Sequence, residues 1–251
     1  MKRKYNWRPD KPDIRDWKFS TEHRELIKLP PSVNLSPICP PIFDQGQLGS
    51  CTSQALAGNL DYLEERNNET NPKAYTDLSR LFIYYNERVI EGTTKQDAGA
   101  ELRDGIKALV KYGTCPESLW TYTNKNLFKK PTTAAYKAAL NSKITSYSRI
   151  TTLDDMKNCL AAHYPFVFGF TVYDYFESDE MAKKGILKMP KASESVLGGH
   201  AVLCVGYNDK TKRMLVRNSW GKDWGLGGYF WMPYEYISNT NLADDMWSIR
   251  K

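Results

Sequence analysis

The sequence has no long hydrophobic run. Its 251 residues are 41% hydrophobic, yet no apolar stretch approaches the roughly 20 residues that a membrane-spanning helix requires. The first four residues lead into polar sequence, where a secretory signal would carry an apolar block. We therefore expect a globular chain without a membrane span, either intracellular or packaged without a conventional export signal.

The sequence has no large excess of charge of one sign. It has 35 Lys and Arg against 29 Asp and Glu, a net charge of +6 spread along the chain. The densest basic run lies within residues 1–18, and most runs of this kind are solvated surface. We expect no nucleic-acid partner.

Cysteine is scarce, with five residues in an odd and widely spaced set. This set excludes a disulfide-dense scaffold, and it lacks the short Cys-x-x-Cys pairs of a zinc site. We predict no metal site, at least one free thiol and a reducing compartment, with a single bridge from Cys39 to Cys115 left open. Cys159 and Cys204 fall on apolar faces, which favours buried fillers.

Helical patterns occupy the first half of the chain. Three leucines at i, i+4 and i+7 predict a helix over residues 52–66 with one apolar face. A second helix is expected after a cap at Thr76 or Asp77, ending before Gly92, and a third over residues 101–112.

Strand-like patterns dominate the second half, apart from a capped helix within residues 151–163. Runs rich in Val, Phe, Tyr and Trp predict strands. They cover residues 166–173, 200–207, 213–218 and 228–232. This segregation predicts an α+β fold with a helical lobe and a β lobe.

Cys51 stands between a glycine-rich turn and the first predicted helix. Unpaired amides and the positive end of the helix dipole favour a thiolate at this place. Activation needs a base, and the chain has three histidines. We interpret His23, in the charged N-terminal stretch, and His163, just before a proline, as solvated or structural.

His200 is the best candidate base, because two glycines before it leave its approach open and a strand follows it. Asn218 comes 18 residues later, at the end of the next predicted strand. If the two strands are antiparallel neighbours, the Asn218 side chain can orient the imidazole, which is the third-group role in a triad. Nucleophile and base would then meet in a cleft between the lobes.

Three motifs in this order resemble the papain family of cysteine peptidases. They are Gln45-Gly46-x-x-Gly49-Ser50-Cys51, Gly198-Gly199-His200-Ala201 and Asn218-Ser219-Trp220-Gly221. The Gly-Gly-His-Ala form is similar to cathepsin B. The resemblance implies a papain-like two-lobed fold with the active site in the cleft. It places a leader at residues 1–28 and a peptidase domain at 29–251, with a helical lobe over about 45–145 and a β lobe over about 146–240.

The resemblance implies a reaction without a cofactor. Cys51 would attack the scissile carbonyl as a thiolate paired with protonated His200, and water would hydrolyse the thioester. Asn218 would orient the imidazole, Trp220 would shield it from water, and the Gln45 amide would join the backbone amide of Cys51 in the oxyanion hole.

The expected substrates are proteins or peptides held in an extended form. Ala98 and Gly99 align with the glycine pair that bonds the substrate main chain in the family, which is strand-like recognition. Gly198 and Gly199 leave room in the neighbouring pocket. Met246 or Trp247 is predicted to form the base of that pocket, favouring an apolar or aromatic substrate side chain.

Two departures from the family pattern bear on this interpretation. Thr52 stands where most relatives have Trp, and Leu48 replaces a cysteine that is usually bridged. Residues 115–144 hold no paired histidines of the kind with which cathepsin B grips a substrate C-terminus, so we expect an endopeptidase. A catalytically silent peptide-binding module and an acyl transferase with the same thioester are the alternatives.

The leader, residues 1–28, is shorter than the usual helical prodomain of the family. Its aromatic, proline and charged residues suit an extended chain lying in a groove. We predict that it covers the cleft and inhibits the enzyme. A strap on the outside of a lobe and a disordered leader are the alternatives.

Overall fold

The computed structural model of the chain describes residues 3–19, 29–68 and 76–251. Three long helices lie in the first half, namely α1 over Cys51–Asn68, α2 over Arg80–Glu91 and α3 over Leu102–Tyr112. They confirm the three predicted helices. Shorter helices follow at Thr133–Ala139 (α4), Leu153–Ala161 (α5), Asp179–Lys184 (α6) and Tyr234–Ile237 (α7). Within the described ranges, no helix has the length and apolarity to cross a membrane.

The start of α2 differs from the prediction. Ser79 is the N-cap, and its side chain accepts a hydrogen bond from the backbone N–H of Phe82 at 3.1 Å. The predicted cap at Thr76 or Asp77 is wrong, because Leu78 still pairs in an isolated β-bridge and keeps the chain extended up to the serine. All three are residue types that favour a cap, so composition alone did not discriminate among them.

The second half forms a sheet in which every strand pair is antiparallel. The four predicted strands are confirmed as β3 over Phe166–Tyr173, β4 over Val196–Asn208, β5 over Arg213–Arg217 and β6 over Tyr229–Pro233. Three strands were not predicted. These are β1 over Ser32–Asn34, β2 over Ser146–Arg149 and β7 over Ala243–Arg250.

Strand β4 organises the sheet. The order is β2-β7-β3-β4-β5-β6, and β1 pairs with the end of β4. The segment that contains β1 and precedes α1 in the sequence therefore packs with the sheet half. The register places His200 opposite Phe170 on β3, deep within the sheet.

The two halves share one core. Leu56, Leu60 and Leu63 of α1 are buried, and α1 packs against α2 and β4. A smaller cluster within the helical half includes Phe82 and Trp120. The α+β prediction is confirmed. Cys51, the first residue of α1, faces the sheet.

Candidate active site

Cys51 is the first residue of α1 and is completely buried. In the loop before it, Asp44 accepts a hydrogen bond from the backbone N–H of Gly46 at 2.9 Å. Gly46 has a φ of +58°, which glycine adopts without steric cost. The backbone N–H of Gly49 donates to Asp97 at 3.0 Å. The loop thus fixes the sulfur at the positive end of the helix dipole.

His200 on β4 and Asn218, directly after β5, are joined by a hydrogen bond. His200 Nε2 and Asn218 Oδ1 lie 2.8 Å apart, and the same oxygen accepts from the backbone N–H of Ser219 at 2.9 Å. Because Oδ1 is the acceptor, Nε2 carries the proton and Nδ1 keeps its lone pair. Nδ1 is buried, and none of the residues that the structure describes forms a hydrogen bond with it.

Backbone N–H groups surround the Cys51 sulfur. They belong to Ala201, directly after His200, to Thr52 in α1, and to Asn6 in the leader. The contact with Ala201 places the sulfur beside the strand that carries the imidazole. The helical half and the sheet half therefore meet at Cys51 and His200.

Aromatic rings enclose His200. Trp220 stacks on the imidazole, with ring centres 5.3 Å apart and an angle of 30° between the planes. Phe170, Phe176 and Tyr5 meet the ring at centre distances of 5.8, 6.3 and 6.1 Å. These contacts fix the ring and exclude water from the bond to Asn218.

Burial shifts both groups away from their charged forms. It raises the pKa of the Cys51 thiol to about 11, although the surrounding N–H groups lower it. Burial also lowers the pKa of His200 to about 4, while the bond to Asn218 raises it and the charge of Arg3 lowers it. Thiol and imidazole are therefore both neutral near pH 7 while the site is covered.

Gln45 joins the loop before Cys51 to the loop after Asn218. Its Nε2 donates to the Leu48 carbonyl at 3.0 Å, and its Oε1 accepts from the Ser219 hydroxyl at 2.6 Å. A primary amide carries two hydrogens, so one remains for a further acceptor. The side chain is buried and held at both ends.

The leader runs through the cleft. Trp7 and Arg8 donate backbone hydrogen bonds to the carbonyls of Gly199 and Ala100, at 2.9 and 3.4 Å. The Trp7 side chain is buried and covers Gly169, where any Cβ would overlap the indole ring. Leader residues 6 and 7 pair with Gly199 and Ala100, respectively, in parallel β-bridges.

Leader residues 3–5 lie on the His200 side of the cleft. The Arg3 guanidinium sits 4.3 Å from the centre of the Trp220 ring, and the Tyr5 ring centre is 6.1 Å from that of the same indole. The Tyr5 hydroxyl donates to Glu177 at 2.5 Å. The cleft is thus filled on both sides of Cys51.

The leader is anchored further along by a buried cluster of charges. Asp10 accepts from the backbone of Arg103 at 3.1 Å, and one of its oxygens lies 3.2 Å from Arg149. The backbone N–H of Asp10 donates to Asp245 at 2.8 Å. Asp16 pairs with Arg103 at 2.6 Å. These ion pairs and hydrogen bonds hold the leader against both halves of the molecule.

Most residues predicted to bind substrate contact the leader. A Cβ at Gly99, Gly198 or Gly199 would overlap leader atoms, and Ala98 lies directly before the first of them. Ala100 was not predicted, although its position next to the aligned pair could have indicated it. The cleft-lining role of these residues toward a substrate stays a prediction.

Met246 and Trp247 are adjacent residues of β7. Met246 lines a cavity of about 320 Å³ together with Arg149 and Ile150. Trp247 is buried and donates from Nε1 to Asp10 at 2.8 Å. A base of the substrate pocket formed by Met246 stays a prediction.

A buried carboxyl group lies behind Cys51 and was not predicted. Glu87 Oε2 accepts from the Thr52 hydroxyl at 2.9 Å. Burial raises the pKa of Glu87 well above its ordinary value, which favours the protonated carboxyl. Its Oε1 is buried and has no hydrogen-bond partner in the described ranges.

The sequence predicts no catalytic role for the other cysteines and histidines. All five cysteines are free, so the bridge between Cys39 and Cys115 that was left open is not formed. His163 is exposed in the turn after α5, and His23 lies outside the described residues. Where the structure describes the chain, no group of three or more His, Cys, Asp or Glu is placed to hold a metal ion.

Comparison with known proteins identifies the family. The family model described as papain family cysteine protease matches residues 30–249. An uncharacterized peptidase C1-like protein of Acanthamoeba polyphaga mimivirus is 42% identical over 250 residues, which cover 96% of this chain and 76% of the viral protein. Oryzain gamma chain of Oryza sativa subsp. japonica is 28% identical over 206 residues, which cover 78% of this chain and 52% of the rice protein.

Solved structures show the same fold. Xylellain, a cysteine protease from Xylella fastidiosa, superposes with a TM-score of 0.91 at 43% identity, covering 100% of this chain and 98% of that one. Procathepsin B S9 from Trypanosoma congolense superposes with a TM-score of 0.71 at 21% identity, covering 90% and 79% of the two chains. The chain belongs to the papain family and is a cysteine peptidase.

Proposed function

We propose that this peptidase is an endopeptidase with Cys51 as nucleophile and His200 as acid and base. The thiolate attacks the scissile carbonyl, the amine leaves with a proton from the imidazole, and water hydrolyses the resulting thioester. The observation that carries the proposal is the approach of the sulfur to the His200 strand. The bond to Asn218 leaves Nδ1 free to exchange the proton.

Charge that develops on the substrate oxygen needs donors in fixed positions. The second amide hydrogen of Gln45 and the backbone N–H of Cys51 are proposed as these donors, since Leu48 and Ser219 already hold the Gln45 side chain. Trp220 keeps water from the imidazole bond. Gln45, the Cys51 backbone N–H and Trp220 would therefore act mainly by stabilising the transition state.

We further propose that the leader inhibits the enzyme. His200 protonates the leaving amine, so the C-terminal part of a substrate lies on the side of His200 and Trp220, and its N-terminal part lies along Gly99 and Ala100. The leader has residues 3–5 on the first side and residues 7 and 8 on the second. It therefore runs opposite to a substrate.

This reversed chain blocks the reaction in two ways. It occupies both sides of the cleft in a direction that does not present a scissile carbonyl to Cys51. It also buries Cys51 and His200, which keeps the thiol and imidazole neutral. Activity then requires the leader to leave the cleft, which restores water and the charged pair.

Covalent labelling tests the catalytic assignment. In a full-length chain whose leader is loosened by Trp7→Ala, a peptidyl epoxide is expected to modify Cys51, located by mass spectrometry, and adding Cys51→Ala should reduce peptide hydrolysis to background. Cys39→Ala is the matched control, because it removes a half-buried thiol elsewhere. Peptide binding without labelling or hydrolysis would indicate a silent binding module, and a stable amide product with an added amine would indicate an acyl transferase.

A leader variant in the full-length chain tests the inhibition. Trp7→Ala removes the ring that covers Gly169 and should raise kcat/KM by roughly 10-fold or more, because a buried aromatic contributes about 3–5 kcal/mol. Trp17→Ala is the control, since that leader tryptophan is 68% exposed. Equal rates for Trp7→Ala and the parent chain would remove the inhibitory role.

A further inference from the structure

We propose that Asp97 selects substrates with Lys or Arg as the residue whose carbonyl is attacked. This inference rests on the proposed function and names its substrate class. Asp97 is neither the proposed nucleophile nor the proposed base, and the sequence analysis did not predict a role for it. Three observations support a role in selection. They are the hydrogen bonds that fix its carboxylate, the position of Asn6 beside the Cys51 sulfur, and the ion pair with Lys4.

The Asp97 carboxylate is fixed between the nucleophile loop and the wall of the cleft. The backbone N–H of Gly49 donates to its two oxygens at 3.0 and 3.2 Å. The Tyr84 hydroxyl donates to Oδ1 at 2.7 Å and accepts from the backbone N–H of Gly99 at 3.0 Å. One acidic group therefore joins the loop before Cys51 to the segment at Gly99, which is predicted to bind the substrate main chain.

Asn6 shows where the reacting residue of a substrate projects its side chain. Its backbone N–H points at the Cys51 sulfur. Its side chain fills the gap between Gly49 and Gly99, where an added Cβ would overlap it. Asn6 Nδ2 donates to the Asp97 carbonyl at 3.1 Å. A substrate side chain whose backbone lies beside the Cys51 sulfur is thus directed toward Asp97.

Charge explains why a long basic side chain suits this gap. Asp97 Oδ2 is paired with the ammonium group of Lys4 at 2.6 Å. The Asp97 side chain is only 9% exposed beneath this lysine, which is itself 49% exposed. When the leader leaves, the carboxylate loses that cation. A substrate Lys or Arg can take its place, because a charge-assisted hydrogen bond to a partly buried carboxylate is strong.

A matched pair of peptides tests this assignment in the full-length Trp7→Ala chain. The two peptides differ only in Arg or citrulline at the residue before the cleaved bond, so they share shape and differ in charge. We expect kcat/KM to favour Arg by about 10- to 100-fold, as for a hydrogen bond to a charged group. In Asp97→Asn the preference should fall to within about threefold.

Lys4→Met is the matched control, because it removes the same ion pair from the leader and leaves the carboxylate in place. Its preference for Arg should equal or exceed that of the parent, which separates selection from leader release. Equal cleavage of the two peptides by the parent, or an unchanged preference in Asp97→Asn, would overturn the inference. Cleavage of neither peptide by folded chain would contradict the proposed function itself.

Discussion

The two halves of the molecule hold Cys51 and His200, the proposed nucleophile and base, by different means. In the helical half, backbone groups place Cys51, namely the N-terminus of α1 and the N–H groups around the sulfur. In the sheet half, side chains place His200, namely the Asn218 amide and a cage of aromatic rings. Fixed dipoles suit a sulfur whose charge appears during the reaction, whereas an imidazole that changes protonation needs a fixed orientation.

This difference predicts different consequences of mutation. Side chains behind His200 should affect the rate more than the stability. Buried contacts behind Cys51, made by α2 and α3 with Thr52 and Leu56, should affect the stability more than the rate. Three substitutions test the contrast.

On the sheet side, Asn218→Ala should lower kcat/KM of the Trp7→Ala chain by about 10- to 100-fold. The substitution removes the acceptor that orients the His200 ring, and this change in rate corresponds to about 1.4–2.7 kcal/mol of transition-state stabilisation. Asn241→Ala, at an exposed position, should leave the rate unchanged. A comparable kcat/KM for Asn218→Ala and its control would show that the amide does not position the ring.

On the helical side, Gly105→Ala should lower the free energy of unfolding by about 1–3 kcal/mol through overpacking. The added methyl group on α3 would overlap Glu87 Oε1 and Leu56 Cδ1, and both side chains are fully buried. Urea unfolding measures the change, with the exposed Lys107→Ala on the same helix as control. An unchanged midpoint would mean that α1 and α3 are less tightly packed at Gly105 than the contacts of its added methyl group imply.

Glu87→Gln should have the smallest effect and a distinct pH dependence. The parent holds a proton on Glu87 that its unfolded chain releases above pH 4.5. Its free energy of unfolding therefore falls as pH rises from that value toward the raised pKa, by at most about 1.4 kcal/mol per pH unit from this group. Glu87→Gln lacks this decline, so urea titrations should show its relative stability growing with pH. A difference that is constant with pH would contradict a protonated carboxyl.

Periodicity and spacing predicted the features that depend on local sequence. The helix after Cys51 and the strands that carry His200 and lead to Asn218 agree with the structure. The described part of the leader also lies in the cleft, as its aromatic, proline and charged composition and the family resemblance together predicted. Each follows from a signal within a short segment, such as a leucine stripe or a run of β-branched residues.

Features that depend on distant partners could not be predicted. Strand β7 was missed because Asp244 and Asp245 look like loop residues, and the second is buried only because Arg149 and the backbone of Asp10 pair with it. Glu87 is likewise atypical of a core and is stabilised there by protonation and by Thr52. In each case a polar residue is buried through a contact made far away in the sequence.

The pH dependence of Cys51 alkylation by iodoacetamide, followed by mass spectrometry in the Trp7→Ala chain, tests the central claim most directly. If sulfur and imidazole form a pair across the two halves, the rate stays high well below the ordinary thiol pKa of about 8.5. In His200→Ala the rate should then rise only near that pKa. The same profile in both chains would contradict the pairing on which the catalytic proposal depends.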